Sequence, residues 1–233
     1  MNTLAPMDLL WCVRRLPRAL AALMRARPNQ LVIAGGYIRS RITNEPVNDI
    51  DCFVPSVEVG AALALAYAEG DEKRVHKTQN ALTIKGSRPT VQFITRWTYT
   101  EPPALLASFD FTIACAAIWW DGVTWQSLTH PDYYADLAAR RLRYTSPMRN
   151  EDAGGSILRV LKFYQRGYRM PLDSLGAVVA RLAMGVDQVK RSIDEPQLAN
   201  VLTGLLREVD PNLDPDHIAH LPSETGTTTE DTF

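Results

Sequence analysis

The 233-residue sequence has little of several features that would assign a protein to a class at once. Its net charge is only −1, so any binding of nucleic acid has to come from local clusters. It lacks an apolar run long enough to cross a bilayer, and we therefore expect no membrane association. Its three cysteines, Cys12, Cys52 and Cys115, lie in apolar segments, which predicts buried free thiols in a reducing cytoplasm rather than a disulfide framework or a zinc site.

The first 25 residues are rich in leucine and alanine but are interrupted by arginines. Leucine and valine recur there at helical spacing, which favours an amphipathic helix that Pro17 bends or divides. A signal peptide is disfavoured because the arginines fall inside the apolar region. We therefore predict an N-terminal helical segment over residues 1–30.

The most informative segment is a glycine pair followed by two aspartates. A short apolar strand leads into Gly35 and Gly36, a helix follows, and a second strand carries Asp49 and Asp51. Side chains two residues apart on a strand share one face, so these two carboxylates project together while the apolar residues between them face the core. Ordinary alternatives are a plain strand-to-helix turn for the glycines and a helix cap or solvated strand end for the aspartates.

This combination has a specific chemistry. Two adjacent carboxylates are costly unless a positive charge neutralises them, and a divalent metal is the usual partner. Glycines let the backbone approach a phosphate at the start of the following helix, where free N–H groups favour anions. A phosphate cradle beside metal-binding carboxylates indicates phosphoryl or nucleotidyl transfer.

The remaining chain predicts an α/β head up to about residue 130 and then a helical region. We expect Ile157, Val160, Leu161 and Tyr164 to form one apolar face of a helix over residues 156–166. Residues 222–233 are polar and rich in threonine, which predicts a disordered tail. The other expected elements are helices over 57–69, 101–108, 174–191 and 195–208, strands over 80–85 and 90–96, an apolar strand or helix start over 109–119, and a hairpin turn at Asp121-Gly122.

Three motifs in order carry a resemblance to a known family. The glycine pair with Asp49-x-Asp51 is the first, and Phe109-Asp-Phe-Thr-Ile-Ala114 is the second. The third is a downstream set of short elements: Asp136-Leu137, Leu142-Arg143 and Arg159-Val-Leu-Lys-Phe163. The chain resembles the DNA polymerase β-like nucleotidyltransferase superfamily, most closely the head and neck of CCA-adding enzymes and bacterial poly(A) polymerases. The resemblance implies an α+β fold, with a small mixed sheet backed by helices over residues 31–130 and a helical neck over residues 131–221.

The resemblance also implies roles for individual residues. Asp49 and Asp51 would hold the catalytic Mg²⁺, with Mn²⁺ as a substitute, and Asp110 is a further catalytic candidate. Asp110 would lie near the nucleotide sugar or base, replace a missing carboxylate, or only cap the segment after it. The candidate nucleotide-binding residues are Gly35, Gly36, Arg39, Ser40, Asp110, Arg159 and Lys162.

The implied reaction is transfer of a nucleoside monophosphate from a triphosphate, ATP or CTP, to an acceptor hydroxyl, with RNA as the first acceptor to consider. Four positions depart from the family pattern. Gln92 stands where the family has a third carboxylate, and Ser40 replaces an aspartate. Phe109 and Ala114 replace an arginine and an asparagine that take part in recognising the ribose. The alternatives are a catalytically weakened protein that binds nucleotide or RNA, and a transferase with a protein or small-molecule acceptor.

Overall fold

A seven-stranded mixed sheet organises the part of the chain that the structure describes. The structure is a computed structural model, and it describes residues 1–147, 153–185, 196, 197 and 199. Along the sheet the strands follow the order β3-β4-β5-β2-β1-β6-β7. They are β1 (Val32–Ala34), β2 (Asp49–Phe53), β3 (Val75–Lys77), β4 (Ala81–Ile84), β5 (Thr90–Ile94), β6 (Ala116–Trp120) and β7 (Trp125–Thr129).

The helices precede, connect and follow these strands. Two short 3-10 turns, Glu72–Arg74 and Thr112–Ala114, lie between them. The helices are α1 (Pro6–Arg14), α2 (Arg18–Ala26), α3 (Gly36–Ile42), α4 (Val57–Tyr67), α5 (Pro102–Leu106), α6 (Tyr133–Ala138), α7 (Ala153–Gln165) and α8 (Leu172–Gly185). This α+β architecture confirms the expected mixed sheet backed by helices.

The pairing of β2 with β5 determines what lies beside the two aspartates. These strands run parallel, with Asp49 opposite Thr90 and Asp51 opposite Gln92. The other neighbouring strands pair antiparallel. Residues opposite each other in register share a face of the sheet, so Gln92 lies on the same face as Asp51.

The two faces of the sheet have separate apolar cores. Ile50 and Cys52 point into the larger core, which α1, α2 and α4 cover, and both are fully buried. Phe53 belongs to a smaller core on the other face, beside Leu105 and Leu106 of α5. The alternation along β2 therefore leaves Asp49 and Asp51 on the face of the smaller core, as the period of a strand predicts.

The N-terminal helical segment is divided at Pro17, which precedes the first residue of α2. Leu20 and Met24 are buried in the larger core, so α2 packs against the sheet of the predicted head. The three cysteines are buried free thiols, as predicted. None of the described helices has the length and apolar character needed to span a membrane.

The orientation of α7 corrects one prediction. Ser156, Val160 and Phe163 are buried, whereas Leu161 is 52% exposed and Tyr164 is 41% exposed. The helix is rotated from the expected apolar face because Ser156 contacts a buried carboxylate and Phe163 packs against Phe111.

Several other boundaries differ from the predictions or lie outside the structure. Strand β3 was not predicted, and the segment over 109–119 divides into a 3-10 turn and β6. Helix α8 begins at Leu172, before the expected start at residue 174. Most of the predicted helix over 195–208 and all of the tail over 222–233 lie outside the described residues. The division of the chain into N-terminal helix, head, neck and tail stays a prediction.

Candidate functional site

A cleft of about 270 Å³ lies where the glycine turn, β2 and the helices α7 and α8 meet. Its walls differ in chemistry. One part carries the Asp51 carboxylate, another carries the arginines of three helices, and a third is aromatic. The cleft therefore offers sites for a cation, an anion and a flat apolar group side by side.

The glycine turn depends on the absence of a side chain at Gly35. This residue has φ +78° and ψ −128°, a conformation that residues with a Cβ rarely adopt. A Cβ added there would lie 3.3 Å from Cε1 of Phe109. Gly35 and Gly36 both line the cleft, so the turn brings bare backbone to its wall.

Asp51 has an unusual environment for a carboxylate. It lines the cleft and is half-buried, while Asp49 is exposed two residues earlier on the same strand face. Among the described residues neither forms a salt bridge. Burial, together with the charge of Asp49, raises the pKa of Asp51 from 3.8 to about 7. A carboxylate whose ionisation is this unfavourable, with a second carboxylate on the same strand face, is a suitable site for a divalent cation.

Gln92 occupies the position beside Asp51 in the β2–β5 register. An amide is neutral and cannot accept a proton from a hydroxyl at ordinary pH, although its oxygen can coordinate a metal. Within the described ranges, no group of three or more histidine, cysteine, aspartate or glutamate side chains is placed to hold a metal ion. The candidate metal site therefore has two carboxylates and an amide neighbour.

Asp110 lines the cleft but already has a cationic partner. Arg159 on α7 donates from Nε to its Oδ2 at 2.6 Å, and Ser156 Oγ donates to the same oxygen at 3.1 Å. Asp110 is 6% exposed, so this is a nearly buried carboxylate with its charge compensated. The arrangement favours a positioning role for Asp110, in which it holds Arg159 at the cleft.

Arg39, Arg159 and Arg181 bring three guanidinium groups to the cleft from α3, α7 and α8. Arg39 is 5% exposed, and its Nε has no hydrogen-bond partner among the described residues. Its nearest carboxylate is Glu45, at 3.8 Å. Burial and the nearby Arg166 lower the pKa of Arg39. A buried guanidinium with an unsatisfied donor is suited to binding an anion in the cleft.

An aromatic wall stands on the same side of the sheet as Asp51. Phe53 contacts Phe109 edge to face, with ring centroids 5.7 Å apart, and Tyr99 lies 6.4 Å from Phe53. Trp97 and Ala114 complete this part of the lining. The surface is apolar at Phe109 and Ala114, and it presents flat faces against which a planar group can stack.

The structure brings most of the candidate residues together. Ser40 is buried outside the cleft lining, and Lys162 is exposed on α7. Asp49 lies beside the cleft, and six candidates line it: Gly35, Gly36, Arg39, Asp51, Asp110 and Arg159. Their functional roles stay predictions.

Sequence reasoning missed Arg181, Ser156 and Phe53 as cleft residues. Ser156 and Arg159 are three residues apart on α7, which places them on one helix face, and that spacing was the available signal. No local signal identifies Arg181, because it lies more than a hundred residues after the glycine turn and reaches the cleft only through the packing of α8.

Comparison with known proteins adds relatives to this geometry. A sequence model of the family described as "Gabija anti-defense 2 family protein" matches residues 14–140. A curated relative named "Gabija anti-defense 2", from Bacillus phage SPbetaL7, is 25% identical over 140 residues. That alignment covers 60% of this chain and 34% of the relative, so the matched part is about a third of the relative's length.

Solved structures of CCA-adding enzymes share the fold. The Thermotoga maritima CCA-adding enzyme complexed with tRNA gives a TM-score of 0.53 at 16% identity, covering 90% of this chain and 55% of that chain. A CCA-adding enzyme in complex with ATP gives a TM-score of 0.55 at 19% identity, covering 91% of this chain and 56% of that chain. The chain thus spans about half the length of these enzymes. The similarity confirms the expected nucleotidyltransferase fold.

Proposed function

The chain belongs to the Gabija anti-defense 2 family, and from this membership together with its nucleotidyltransferase fold we propose that it transfers a nucleoside monophosphate from a nucleoside triphosphate to an acceptor hydroxyl, with release of pyrophosphate. ATP and CTP are the triphosphates we expect, and RNA is the first acceptor. The biological setting that we propose is counteraction of Gabija defence.

One observation carries the proposal. Asp51, a half-buried carboxylate without an ion pair among the described residues, lines the same cleft as Arg39, a buried guanidinium with an unsatisfied Nε. A carboxylate without a counter-ion and a buried guanidinium donor without a hydrogen bond are both costly to the folded protein. A triphosphate bound with a divalent cation satisfies both at once, because it brings a positive ion to the carboxylate and anionic oxygens to the guanidinium.

Asp49 and Asp51 fit a Mg²⁺ ion, with Mn²⁺ as a substitute. Mg²⁺ in phosphoryl-transfer sites is usually bound through one or two carboxylates together with substrate phosphates, and this donor set has that composition. The amide oxygen of Gln92 is a neutral ligand beside them. When bound, the ion would neutralise negative charge on the phosphates.

The protein's own groups would position the nucleotide. Arg39, Arg159 and Arg181 would bind phosphate oxygens, and the glycine turn would admit them close to the backbone. The aromatic wall of Phe53 and Phe109 would stack the base or pack against the sugar. Since Gln92 cannot act as a base and Asp110 is paired with Arg159, the proton of the acceptor hydroxyl would leave to solvent.

Transfer of label from a radioactive triphosphate tests this proposal. Each of the four NTPs, labelled at the α-phosphate, is incubated with the protein, Mg²⁺ or Mn²⁺, and a mixed RNA pool. We expect label in the RNA, and we expect its loss in Asp51→Ala but not in Glu72→Ala, a matched change at an exposed acidic residue. Absence of both transfer and nucleotide binding with every NTP would refute the proposal.

Two alternatives are separated by the same assay. Gln92 favours a catalytically weakened nucleotide- or RNA-binding protein, which would bind triphosphate without turnover. A transferase with another acceptor would label a protein or a small molecule instead of RNA, and mass spectrometry of the products identifies it. The biological setting is tested by phage growth in a Gabija-carrying Bacillus host that expresses either the native chain or Asp51→Ala.

A further inference from the structure

Positive charge is concentrated at the start of the chain. Residues 1–44 contain seven arginines, no lysine and a single acidic residue, Asp8, whereas the rest of the chain contains 18 basic and 25 acidic residues. The net charge of −1 therefore conceals two regions of opposite sign. A basic region of this kind creates a local potential that attracts polyanions even when the whole chain is nearly neutral.

Five of these arginines are exposed and form what we call the arginine face: Arg14, Arg15, Arg18, Arg25 and Arg27. They lie on or beside α1 and α2, which bury Cys12, Leu20 and Met24 in the larger core. These helices are held against the sheet, and the five charged side chains are exposed at the surface of this helical layer.

The described carboxylates of the chain do not neutralise the arginine face. Among the described residues, no carboxylate lies within ion-pair distance of any of its five members. Asp8, the acidic residue of this segment, accepts a hydrogen bond from the Tyr134 hydroxyl at 2.7 Å. The charge is therefore available to an external partner.

Two of the guanidinium groups lie over indole rings. Arg15 lies 3.0 Å from the ring centroid of Trp11, which is 44% exposed. Arg25 lies 5.7 Å from the ring centroids of both Trp120 and Trp125. Stacking of this kind restricts the side chains and orients their flat guanidinium forks before any partner binds.

The face is separate from the cleft. None of its five arginines is among the residues that line the cleft. The cleft opens along the sheet face that carries Phe53 and Ile94, whereas α1 and α2 pack on the other face. A partner bound at this face therefore contacts residues other than those that line the cleft.

We propose that the arginine face binds the phosphate backbone of a nucleic acid. Arginine alone, without lysine, suits phosphate because its planar fork donates two parallel hydrogen bonds to phosphate oxygens. One face of the Trp11 indole carries Arg15, and the exposed part of the ring adds a flat apolar group against which a base can pack. An acidic protein would use the charge but not the indole, so the combination favours nucleic acid.

Fluorescence anisotropy of the full chain with labelled 20-nucleotide single-stranded RNA, single-stranded DNA and duplex DNA tests the proposal across a salt series. The variant Arg14→Gln/Arg15→Gln/Arg18→Gln should bind at least about tenfold more weakly at low salt. Its slope of log affinity against log salt should fall by about 2, since each lost phosphate contact on a single strand contributes about 0.7. The three oligonucleotides distinguish RNA, DNA and duplex as the preferred source of the phosphates.

The matched control is Lys73→Gln/Lys77→Gln/Lys85→Gln, which removes the same charge from exposed residues of the head. It should retain the native affinity and slope. Equal weakening by the two triple variants would overturn the proposal, because it would assign the binding to net charge. Lack of binding by the native chain, or equally strong competition by polyglutamate, would also overturn it. Retained nucleotide binding by the arginine variant confirms that its cleft is intact.

Discussion

Arg159 Nε lies 2.6 Å from Oδ2 of Asp110, and this contact joins α7 to the segment that precedes β6. Because of this contact, the two carboxylates that line the cleft differ in whether a neighbouring cation compensates their charge. Asp110 is nearly buried and compensated, whereas Asp51 has no ion pair among the described residues. The cleft therefore has one carboxylate compensated by an arginine and one for which we propose an external cation.

Removing Arg159 should destabilise the fold more than removing an exposed side chain of the same helix. Arg159→Ala leaves Asp110 as a nearly buried charge without its guanidinium, and we expect a loss of about 1–3 kcal/mol in the free energy of unfolding. Gln165→Ala, at an exposed position of the same helix, should cost less than about 0.5 kcal/mol. Urea denaturation measures both. Equal losses in the two variants would contradict the prediction. The double variant Arg159→Ala/Asp110→Asn should be more stable than Arg159→Ala alone, because it no longer buries an uncompensated charge.

Asp51 should make the metal-free protein less stable as pH rises. Its pKa is about 7 in the folded chain against 3.8 ordinarily, so the folded state holds its proton more tightly than the unfolded state does. The penalty therefore grows between about pH 4 and pH 7 and is complete above pH 7. Asp51→Asn removes it, and we expect a gain of about 1–3 kcal/mol at pH 8 that shrinks toward pH 4.

Thermal melts of native and Asp51→Asn protein between pH 4 and pH 8 measure this difference. Mg²⁺ should stabilise the native chain but not the variant. It should therefore reduce the difference in stability between the two proteins at pH 8. A stabilisation by Asp51→Asn that is independent of pH would show that it does not come from ionisation of the Asp51 carboxyl.

Gly35 should tolerate no side chain. Gly35→Ala imposes the positive φ on a residue with a Cβ and places that Cβ 3.3 Å from Phe109, and we expect a loss of about 1–3 kcal/mol together with weaker nucleotide binding. The matched control is Gly86→Ala, which has the same φ of +78° but no atom within 4 Å of the added Cβ.

The control should lose only the backbone contribution, about 1 kcal/mol, and should leave nucleotide binding unchanged. The double variant Gly35→Ala/Phe109→Leu should recover part of the difference if the ring is responsible. Chemical denaturation and nucleotide titration measure these effects, and a control as damaging as Gly35→Ala would contradict the role of Phe109.

A carboxylate at position 92 should tighten metal binding. Gln92 lies opposite Asp51 in register, so Gln92→Glu adds a third negative oxygen donor on the same strand face. We expect about tenfold tighter Mn²⁺ binding, which corresponds to about 1.4 kcal/mol, and a less stable metal-free protein through repulsion among the carboxylates. Calorimetric titration with Mn²⁺ measures the first effect. Gln79→Glu, at an exposed residue outside the cleft, is the control, and equal tightening there would contradict the prediction.

Much of the site was accessible from sequence because its signals are local. The glycine pair, the two aspartates and the apolar residues between them depend on the period of a strand and on the conformational freedom of glycine. These properties hold for any chain with that pattern. The same reasoning predicted the buried cysteines and the division of the N-terminal helix at Pro17.

The neighbours of these residues in the cleft could be identified only from the tertiary structure. The sequence by itself determined that Asp49 and Asp51 share a strand face, because that relationship spans two residues. Only the fold decided that Gln92 lies beside Asp51, that Arg159 neutralises Asp110 and that Arg181 reaches the cleft. Those pairs are separated by 41 to more than a hundred residues. Their contacts depend on strand register and on the rotation of α7 and α8 against the core, which local periodicity does not specify.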